Sequence, residues 1–183
     1  MAEECVFELL AAPAARPAAE EGLDLYDGLI GSWDIVSTWF RGGAAVSSRR
    51  GQWHFARILG GRGVQDILFA EGAPPEERGT TLRCYDASIK AWRVAWMMPS
   101  SGEFAQLVGR REGGRIVQEG AGAEPGGRLR WSFAELEPGS FLWLGELSRD
   151  GGATWELEQE MRAARRPEAG PAAAGGPRDY SSL

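Results

Sequence analysis

Short alternating segments separated by glycine-rich turns dominate the middle of the chain. Five pairs of adjacent glycines punctuate this region, at 42/43, 60/61, 113/114, 126/127 and 151/152. Alternation of apolar and polar side chains is typical of β-strands, and paired glycines are typical of hairpin turns. The pattern predicts strands near 32–40, 47–59, 62–70, 80–86, 91–98, 103–112, 115–121, 127–136, 141–149 and 153–162.

Ten successive strands with short links favour an all-β fold, an antiparallel up-and-down barrel. An open sheet of this size exposes two strand edges, and closure removes both of them. The segment 23–29 is the only helical candidate, and we expect a short N-terminal helix that closes one end. The flanking segments are rich in Ala, Pro and Gly. We therefore predict a flexible arm over 1–23, a barrel domain over 24–166 and a disordered tail over 167–183.

The last predicted strand indicates which side chains face the interior. There, three glutamates alternate with a largely apolar set that begins at Trp155 and ends at Met161. Three carboxylates in register belong in water, so the tryptophan phase is predicted to face inward. With a four-residue loop over 137–140, the same register brings Arg130 onto this inner wall. A slip of one residue in that loop would exchange the two faces.

The same reasoning places several polar and aromatic side chains inside the barrel. A turn over 86–91 brings Arg83 and Tyr85 onto one face with Trp96. A charge inside a barrel needs an acid or a ligand as its partner. Arg83 and Arg130 therefore indicate either internal ion pairs or an acidic ligand group. The predicted ligand-binding residues are Gln65, Arg83, Tyr85, Trp96, Gln106, Arg130, Trp143 and Gln159.

His54 is the only histidine of the chain and the candidate catalytic residue. Its ordinary pKa lies near neutrality, which suits a group that moves a proton. A turn at 60/61 places His54 on one face with Gln65, while Trp53 and Phe55 share the opposite face. Both faces are apolar, so periodicity does not decide which of them is luminal. A structural or surface role for His54 is the alternative.

Charge and composition argue against several classes of protein. A net charge of -6 and a pI of about 5.0 lack the basic surface of a nucleic-acid binder. The longest apolar run of the body, over 94–99, is far shorter than the roughly 20 residues of a membrane helix. Two cysteines and one histidine make neither a disulfide framework nor a typical zinc site. We expect a cytoplasmic protein with no metal and no membrane or nucleic-acid partner.

Short motifs resemble one group of β-barrels. The stretch Leu29-Ile30-Gly31-Ser32-Trp33 resembles the Gly-x-Trp start of lipocalins and related calycin barrels, in which the tryptophan packs over the closed end. Gly51-Gln-Trp-His-Phe and Arg130-Trp-Ser-Phe resemble bacterial lipocalin-like proteins without an assigned function. The resemblance implies a calycin-type barrel over about 26–163 and brings no catalytic residues. Nitrobindin-like barrels bind heme through a late-strand histidine, whereas His54 lies on the second strand, so no cofactor is expected.

These observations predict a barrel that encloses a small, largely apolar molecule. Aromatic rings would grip a conjugated or aromatic ligand, and Arg83 or Arg130 would orient its acidic or carbonyl group. The alternative is a cofactor-independent isomerase or cyclase of natural-product biosynthesis in which His54 moves a proton. That alternative follows from fold analogy alone. The sequence leaves open whether the protein is an enzyme and whether it forms a homodimer.

Overall fold

The computed structural model describes residues 22–167, and within this range ten strands form one closed antiparallel barrel. The strands are β1 (Gly31–Arg41), β2 (Ala44–Ile58), β3 (Gly63–Ala70), β4 (Gly79–Asp86), β5 (Ala91–Met98), β6 (Glu103–Glu112), β7 (Arg115–Ala121), β8 (Arg128–Glu137), β9 (Ser140–Ser148) and β10 (Glu156–Arg165). Each strand pairs with its sequence neighbours, and β1 also pairs with β10. The predicted all-β, ten-stranded up-and-down barrel is confirmed.

The links between strands are short, and two of them contain a single 3₁₀ turn, at Leu59–Gly61 and at Pro75–Glu77; a third 3₁₀ turn, Asp27–Leu29, precedes β1. The described residues contain no longer helix, and none of their segments forms a helix suited to crossing a membrane. The strand register predicted from a turn over 86–91 is confirmed, because Arg83 lies opposite Val94 and Tyr85 lies opposite Trp92.

Residues 22–29 close one end of the barrel, but with consecutive turns instead of the expected helix. So short a segment forms too few helical hydrogen bonds to offset the cost of starting a helix. Tertiary contacts fix it instead: Trp92 Nε1 donates to the Gly22 carbonyl oxygen at 2.8 Å, and Trp33 Nε1 donates to that of Leu29 at 2.7 Å. Four of its side chains are buried, those of Leu23, Leu25, Tyr26 and Leu29.

Three arginines at the closed end also hold this segment. Arg57 pairs with Asp27 at 2.7 Å, and Arg111 pairs with Asp24 at 3.4 Å. The Arg165 guanidinium donates to the carbonyl oxygens of Gly28, within the segment, and of Ile30, directly after it, each at 2.9 Å. Gly22 and Leu23, which composition assigns to the arm, therefore pack with the barrel. The rest of the predicted arm and the tail from residue 168 lie outside the described residues.

The β8–β9 hairpin differs from the expected register by one residue. A four-residue loop over 137–140 would place Ala134 opposite Trp143, whereas the structure places Ala134 opposite Leu142. The cause is a β-bulge between Ala134 and Glu137, in which Glu135 adopts a positive φ of 49°. A bulge adds one residue to one strand, and so it reverses the faces on either side of it.

This shift decides which face of β8 is luminal. Phe133 is fully buried in the hydrophobic core, and Trp131 packs against that core. Arg130 therefore has the outward phase, so its predicted place on the inner wall is wrong. Trp155, which was expected to begin the luminal phase of the last strand, lies before β10 and has its ring 4.0 Å from the Arg130 guanidinium carbon.

Candidate functional site

A cavity of about 580 Å³ occupies the end of the barrel opposite residues 22–29. Small-molecule sites in proteins fall in this range of volumes and are lined mainly by apolar and aromatic side chains. Five of the eight tryptophans line the cavity: Trp39, Trp53, Trp96, Trp131 and Trp143. Aliphatic and thioether side chains complete much of the wall, namely Ile35, Leu68, Met98, Leu129 and Met161.

Four of the five indoles form a continuous aromatic surface. The Trp131 ring lies 6.3 Å from that of Trp96 and 5.8 Å from that of Trp143, measured between centroids. The Trp143 ring is in turn 6.2 Å from that of Trp53. Gly145 makes room for the Trp143 indole, because a Cβ at this position would lie 2.6 Å from the Trp143 ring. The glycine therefore lets this indole lie against the barrel wall.

An ion pair is buried inside the barrel beside the cavity. The Arg83 Nη1 donates to Asp66 Oδ2 at 2.5 Å, and the side chains are 1% and 0% exposed. The other carboxylate oxygen of Asp66 accepts a hydrogen bond from the Thr81 backbone N–H at 2.9 Å. A buried charge is tolerated where a counterion and further hydrogen bonds satisfy it. The sequence left two partners open for Arg83, an internal acid or an acidic ligand group. In the structure its partner is the internal acid, Asp66.

Gln118 and Tyr26 extend this network toward the closed end. The Gln118 Oε1 accepts hydrogen bonds from Arg83 Nε and from the Tyr26 hydroxyl, both at 3.2 Å. Burial raises the pKa of Tyr26 well above its usual range, so the phenol stays neutral. The Arg83 guanidinium carbon also lies 5.2 Å from the Tyr26 ring and 5.5 Å from that of Phe55. Packed among rings and paired, Arg83 is held in one position.

Sequence reasoning missed Asp66 and overlooked Gln118 as the partner of Arg83. Asp66 alternates with Val64 and Leu68, so it shares the apolar phase of β3. A lone acid in an apolar phase is itself the signal of a buried pair, since an unpaired charge there is costly. The position of Asp66 did not predict a buried pair from the sequence alone, because the luminal face of β2 and β3 was undecided.

Four of the predicted ligand contacts line the cavity: Arg83, Trp96, Trp143 and Gln159. Tyr85 shares the inward phase of Arg83, but it lies in the closed half, where its ring is 5.8 Å from that of Trp92. Tyr85 therefore packs beside the 22–29 segment and does not line the cavity.

Gln65, Gln106 and His54 do not line the cavity, although the sequence predicts them as site residues. For His54 and Gln65, the structure decides the phase that periodicity leaves open. Gln65 and Gln106 are exposed, and Gln65 donates to the Thr80 hydroxyl at 3.2 Å on the outer wall. His54 alternates with Trp53 and Phe55, which are 2% and 4% exposed. The face with the larger aromatic area turns inward because its burial removes more apolar surface from water.

His54 is instead bound into the outer wall. Its Nδ1 lies 2.8 Å from the Ser32 hydroxyl oxygen, and its Nε2 lies 3.1 Å from Gln52 Oε1. Its ring also stacks on that of Phe69 at 5.7 Å. Partial burial and the nearby charge of Arg166 lower the pKa of His54 below 6.5. The neutral imidazole thus donates from Nε2 to Gln52 and accepts the Ser32 hydroxyl proton at Nδ1.

Arg130 is satisfied on the outer face of β8. Its Nε and Nη2 donate to the two carboxylate oxygens of Glu146 at 2.9 and 3.0 Å. These hydrogen bonds raise the pKa of Arg130 above its ordinary value. A two-pronged arginine–carboxylate pair is geometrically specific, and the Trp155 ring covers the guanidinium. Arg130 therefore has a structural partner in place of the luminal ligand contact expected of it.

The mouth of the cavity is polar. Arg49 and Arg50 line it on β2, and Glu77 and Glu103 line it from the β3–β4 link and from β6. A second cavity of about 570 Å³ shares Arg49, Arg50 and Glu77 with the first. Within the described part of the chain, no three His, Cys, Asp or Glu side chains come together in a way that could hold a metal ion.

The chain matches no protein-family model and no curated protein sequence. Its fold is similar to that of the S-type phycobiliprotein lyase CPES from Guillardia theta, with a TM-score of 0.52, 8% identity, and coverage of 80% of this chain and 93% of that chain. It is also similar to Rv2717c from M. tuberculosis, with a TM-score of 0.51, 14% identity, and coverage of 81% and 99%. Identities this low show the fold alone. The protein is a closed, ten-stranded antiparallel β-barrel whose cavity is lined by aromatic rings.

Proposed function

We propose that this barrel binds a small, flat, largely apolar molecule with a conjugated or aromatic ring system. The observation that carries the proposal is the set of five indoles that line the cavity. Aromatic side chains contribute large buried areas and favour stacked or edge-on contacts with other rings. A cavity of about 580 Å³ has room for such a molecule. The likeness to a phycobiliprotein lyase is one of fold, and it adds only the architecture to this argument.

A neutral oxygen acceptor suits the part of the cavity beside Arg83. Asp66 already balances the Arg83 charge, so a ligand carboxylate placed there would bring a second negative charge into the same buried region. A carbonyl oxygen accepts hydrogen bonds without adding a charge. Of the two head groups expected from the sequence, the carbonyl therefore belongs in the deep part of the cavity.

The isomerase or cyclase alternative requires His54 to move a proton inside the barrel, and His54 is bonded to Ser32 and Gln52 on the outer wall. The cytoplasmic location and the lack of a cofactor stay predictions from the sequence. Whether the protein forms a homodimer stays open.

The test fills the cavity and measures the binding of a neutral aromatic probe. Ser37 is 6% exposed, lines the cavity and lies on β1, so Ser37→Phe places a ring in the lumen. The matched control is Ser48→Phe, because Ser48 has the outward phase of β2 and is exposed. The probe is N-phenyl-1-naphthylamine, whose fluorescence rises in an apolar site. Circular dichroism and thermal unfolding confirm that each variant folds.

We expect Ser37→Phe to weaken probe binding by roughly tenfold or more, because the new ring occupies volume that the probe needs. Ser48→Phe should bind the probe as the wild type does. Ala70→Phe, on the neighbouring wall of the cavity, repeats the test if Ser37→Phe does not fold. Failure of the wild type to bind the probe, or equal binding by a folded cavity-filling variant, would overturn the proposal.

A further inference from the structure

Arg49 belongs to the cavity lining, faces inward by its position on β2, and has no hydrogen-bond or ion-pair partner among residues 22–167. Arg49 lies opposite Ser37 in the β1–β2 pairing, and Ser37 is a buried inward residue, so Arg49 has the inward phase. No hydrogen bond or ion pair joins Arg49 to another residue of the described chain, whereas Arg83 and Arg130 are both paired. Arg50 also lines the mouth, but it lies opposite the exposed Val36 and has the outward phase. Within the described chain, Arg49 is therefore the inward-facing arginine without a counterion.

Arg49 is separated from the deepest indole by the length of a small ligand. It lies four positions along β2 from Trp53, which corresponds to about 13 Å at the usual rise of a β-strand. Trp53 is 2% exposed, whereas Arg49 is exposed at the mouth. An aromatic ring in the cavity and a charged group at Arg49 can therefore belong to one molecule.

The acids of the mouth limit the charge of such a group. Glu77 lines both cavities together with Arg49, and Glu103 holds an inward position on β6. A further acid of the lining, Glu158, has an arginine partner, since it lies 3.8 Å from Arg149. A dianion such as a phosphate monoester would meet stronger repulsion from these carboxylates than a singly charged group.

We propose, on the basis of the function proposed above, that the natural ligand carries a single negative charge that Arg49 binds at the mouth of the cavity. The ligand is an elongated aromatic or conjugated monoanion, such as a carboxylate, whose uncharged end enters first. Arg49 binds the charged group, and the indoles bind the ring system. The acidic group expected from the sequence is thereby assigned to Arg49, and neither Arg83 nor Arg130 is its partner.

The experiment compares two probes that share one ring system. 8-Anilinonaphthalene-1-sulfonate carries one negative charge, and N-phenyl-1-naphthylamine lacks the sulfonate. Both are titrated by fluorescence against the wild type, Arg49→Met and the matched control Arg110→Met. Arg110 is an exposed arginine on the outward phase of β6, so its replacement changes the net charge equally.

We expect Arg49→Met to weaken the anionic probe by roughly three- to tenfold at low salt, with a smaller effect at high salt, as for a partly exposed charge-assisted contact. The neutral probe should stay within about twofold of the wild type, and Arg110→Met should change neither affinity, since surface substitutions usually have small effects. Glu103→Gln should tighten the anionic probe slightly, because it removes a like charge from the mouth.

The outcomes separate this inference from the function on which it rests. If both probes bind the wild type and Arg49→Met leaves the affinity for the anionic probe unchanged, the role of Arg49 is refuted and the aromatic site stands. An equal loss for both probes would also refute it, because it shows damage to the cavity. If neither probe binds the wild type, the proposed function fails, and the inference fails with it.

Discussion

The guanidinium of Arg83 donates to the carboxylate of Asp66 at 2.5 Å, with both side chains almost completely withdrawn from water. The two residues lie on adjacent strands, β4 and β3, and Gln118 approaches from the far side of the barrel on β7. Such a pair is neutral as a whole but costly to break. Its presence explains how a barrel can bury an arginine among aromatic rings, and it leaves the cavity without a free charge at depth.

Removing one member of this pair should destabilise the protein strongly. Asp66→Asn leaves Arg83 as a buried, unbalanced cation, and we expect a loss of about 3 to 5 kcal/mol in the free energy of unfolding. Denaturant unfolding followed by tryptophan fluorescence measures it. In the double variant Asp66→Asn with Arg83→Met, most of that loss should be recovered because the unpaired charge is gone. A single variant as stable as the wild type would show that water or another group reaches Arg83.

Trp33 should be essential for closing the barrel. Its side chain is 0% exposed, its Nε1 donates to the Leu29 carbonyl oxygen, and the Arg165 guanidinium carbon lies 4.0 Å from its ring. We expect Trp33→Ala to lower the free energy of unfolding by about 3 to 5 kcal/mol, as for other buried aromatic residues. Trp155→Ala, which removes a ring from the outer wall, should cost about 1 kcal/mol or less. Equal losses in the two variants would contradict the packing role of Trp33.

His54 should titrate below its ordinary pKa. Partial burial and Arg166 lower the pKa of the folded imidazole below 6.5, so the unfolded chain binds a proton more readily than the folded one. The unfolding free energy should therefore decrease as the pH falls below 6.5, until the folded imidazole is protonated as well. Since the chain has one histidine, its NMR signal reports the midpoint directly.

Substitutions around His54 provide the controls for this titration. Arg166→Gln should raise the midpoint because it removes a nearby positive charge, and Asp34→Asn should lower it because that carboxylate favours the charged imidazole. In His54→Gln, the part of the pH dependence between the two pKa values should disappear. A midpoint at or above 6.5 in the wild type would show that burial does not govern this group.

Glu135 should tolerate glycine and reject a β-branched residue. Its φ of 49° lies in the left-handed region, which a glycine adopts without steric cost. The cost of this conformation for a residue with a Cβ is already present with Glu135, and branching at Cβ raises it further. We therefore expect Glu135→Val to lower the free energy of unfolding by roughly 1 kcal/mol. Glu135→Gly should be neutral or stabilising. Glu137→Val, two residues further along the strand, is the control, and an equal loss there would show that strand packing and not the bulge is responsible.

The strands and most of their neighbours could be predicted from the sequence. Alternation and glycine pairs act locally, so they place each strand within a few residues and join it to the next by a hairpin. The pairing of Arg83 with Val94 and of Tyr85 with Trp92 followed from one short turn. The burial of Arg83 could also be predicted, because Arg83 alternates along its strand so that it shares a face with aromatic residues.

The luminal faces depended on information that is not local. On β2, the sets containing His54 and Trp53 are both apolar, and only closure of the whole barrel shows which set buries more surface. On β8, one bulged residue, Glu135, reversed the face of Arg130. No alternation pattern reports a bulge, because its stability depends on the partner strand.

The chain by itself therefore determined the barrel, its strand order and the abundance of aromatic residues available for a binding site. Only the tertiary structure decided which arginine faces the lumen without a counterion in the described part of the chain. Arg83 is balanced by Asp66, Arg130 is bound to Glu146 on the outer wall, and Arg49 has no partner among residues 22–167. The reason is physical: the effect of a charge depends on its counterions and its burial, and both are set by strands that are distant in sequence and become neighbours only when the barrel closes.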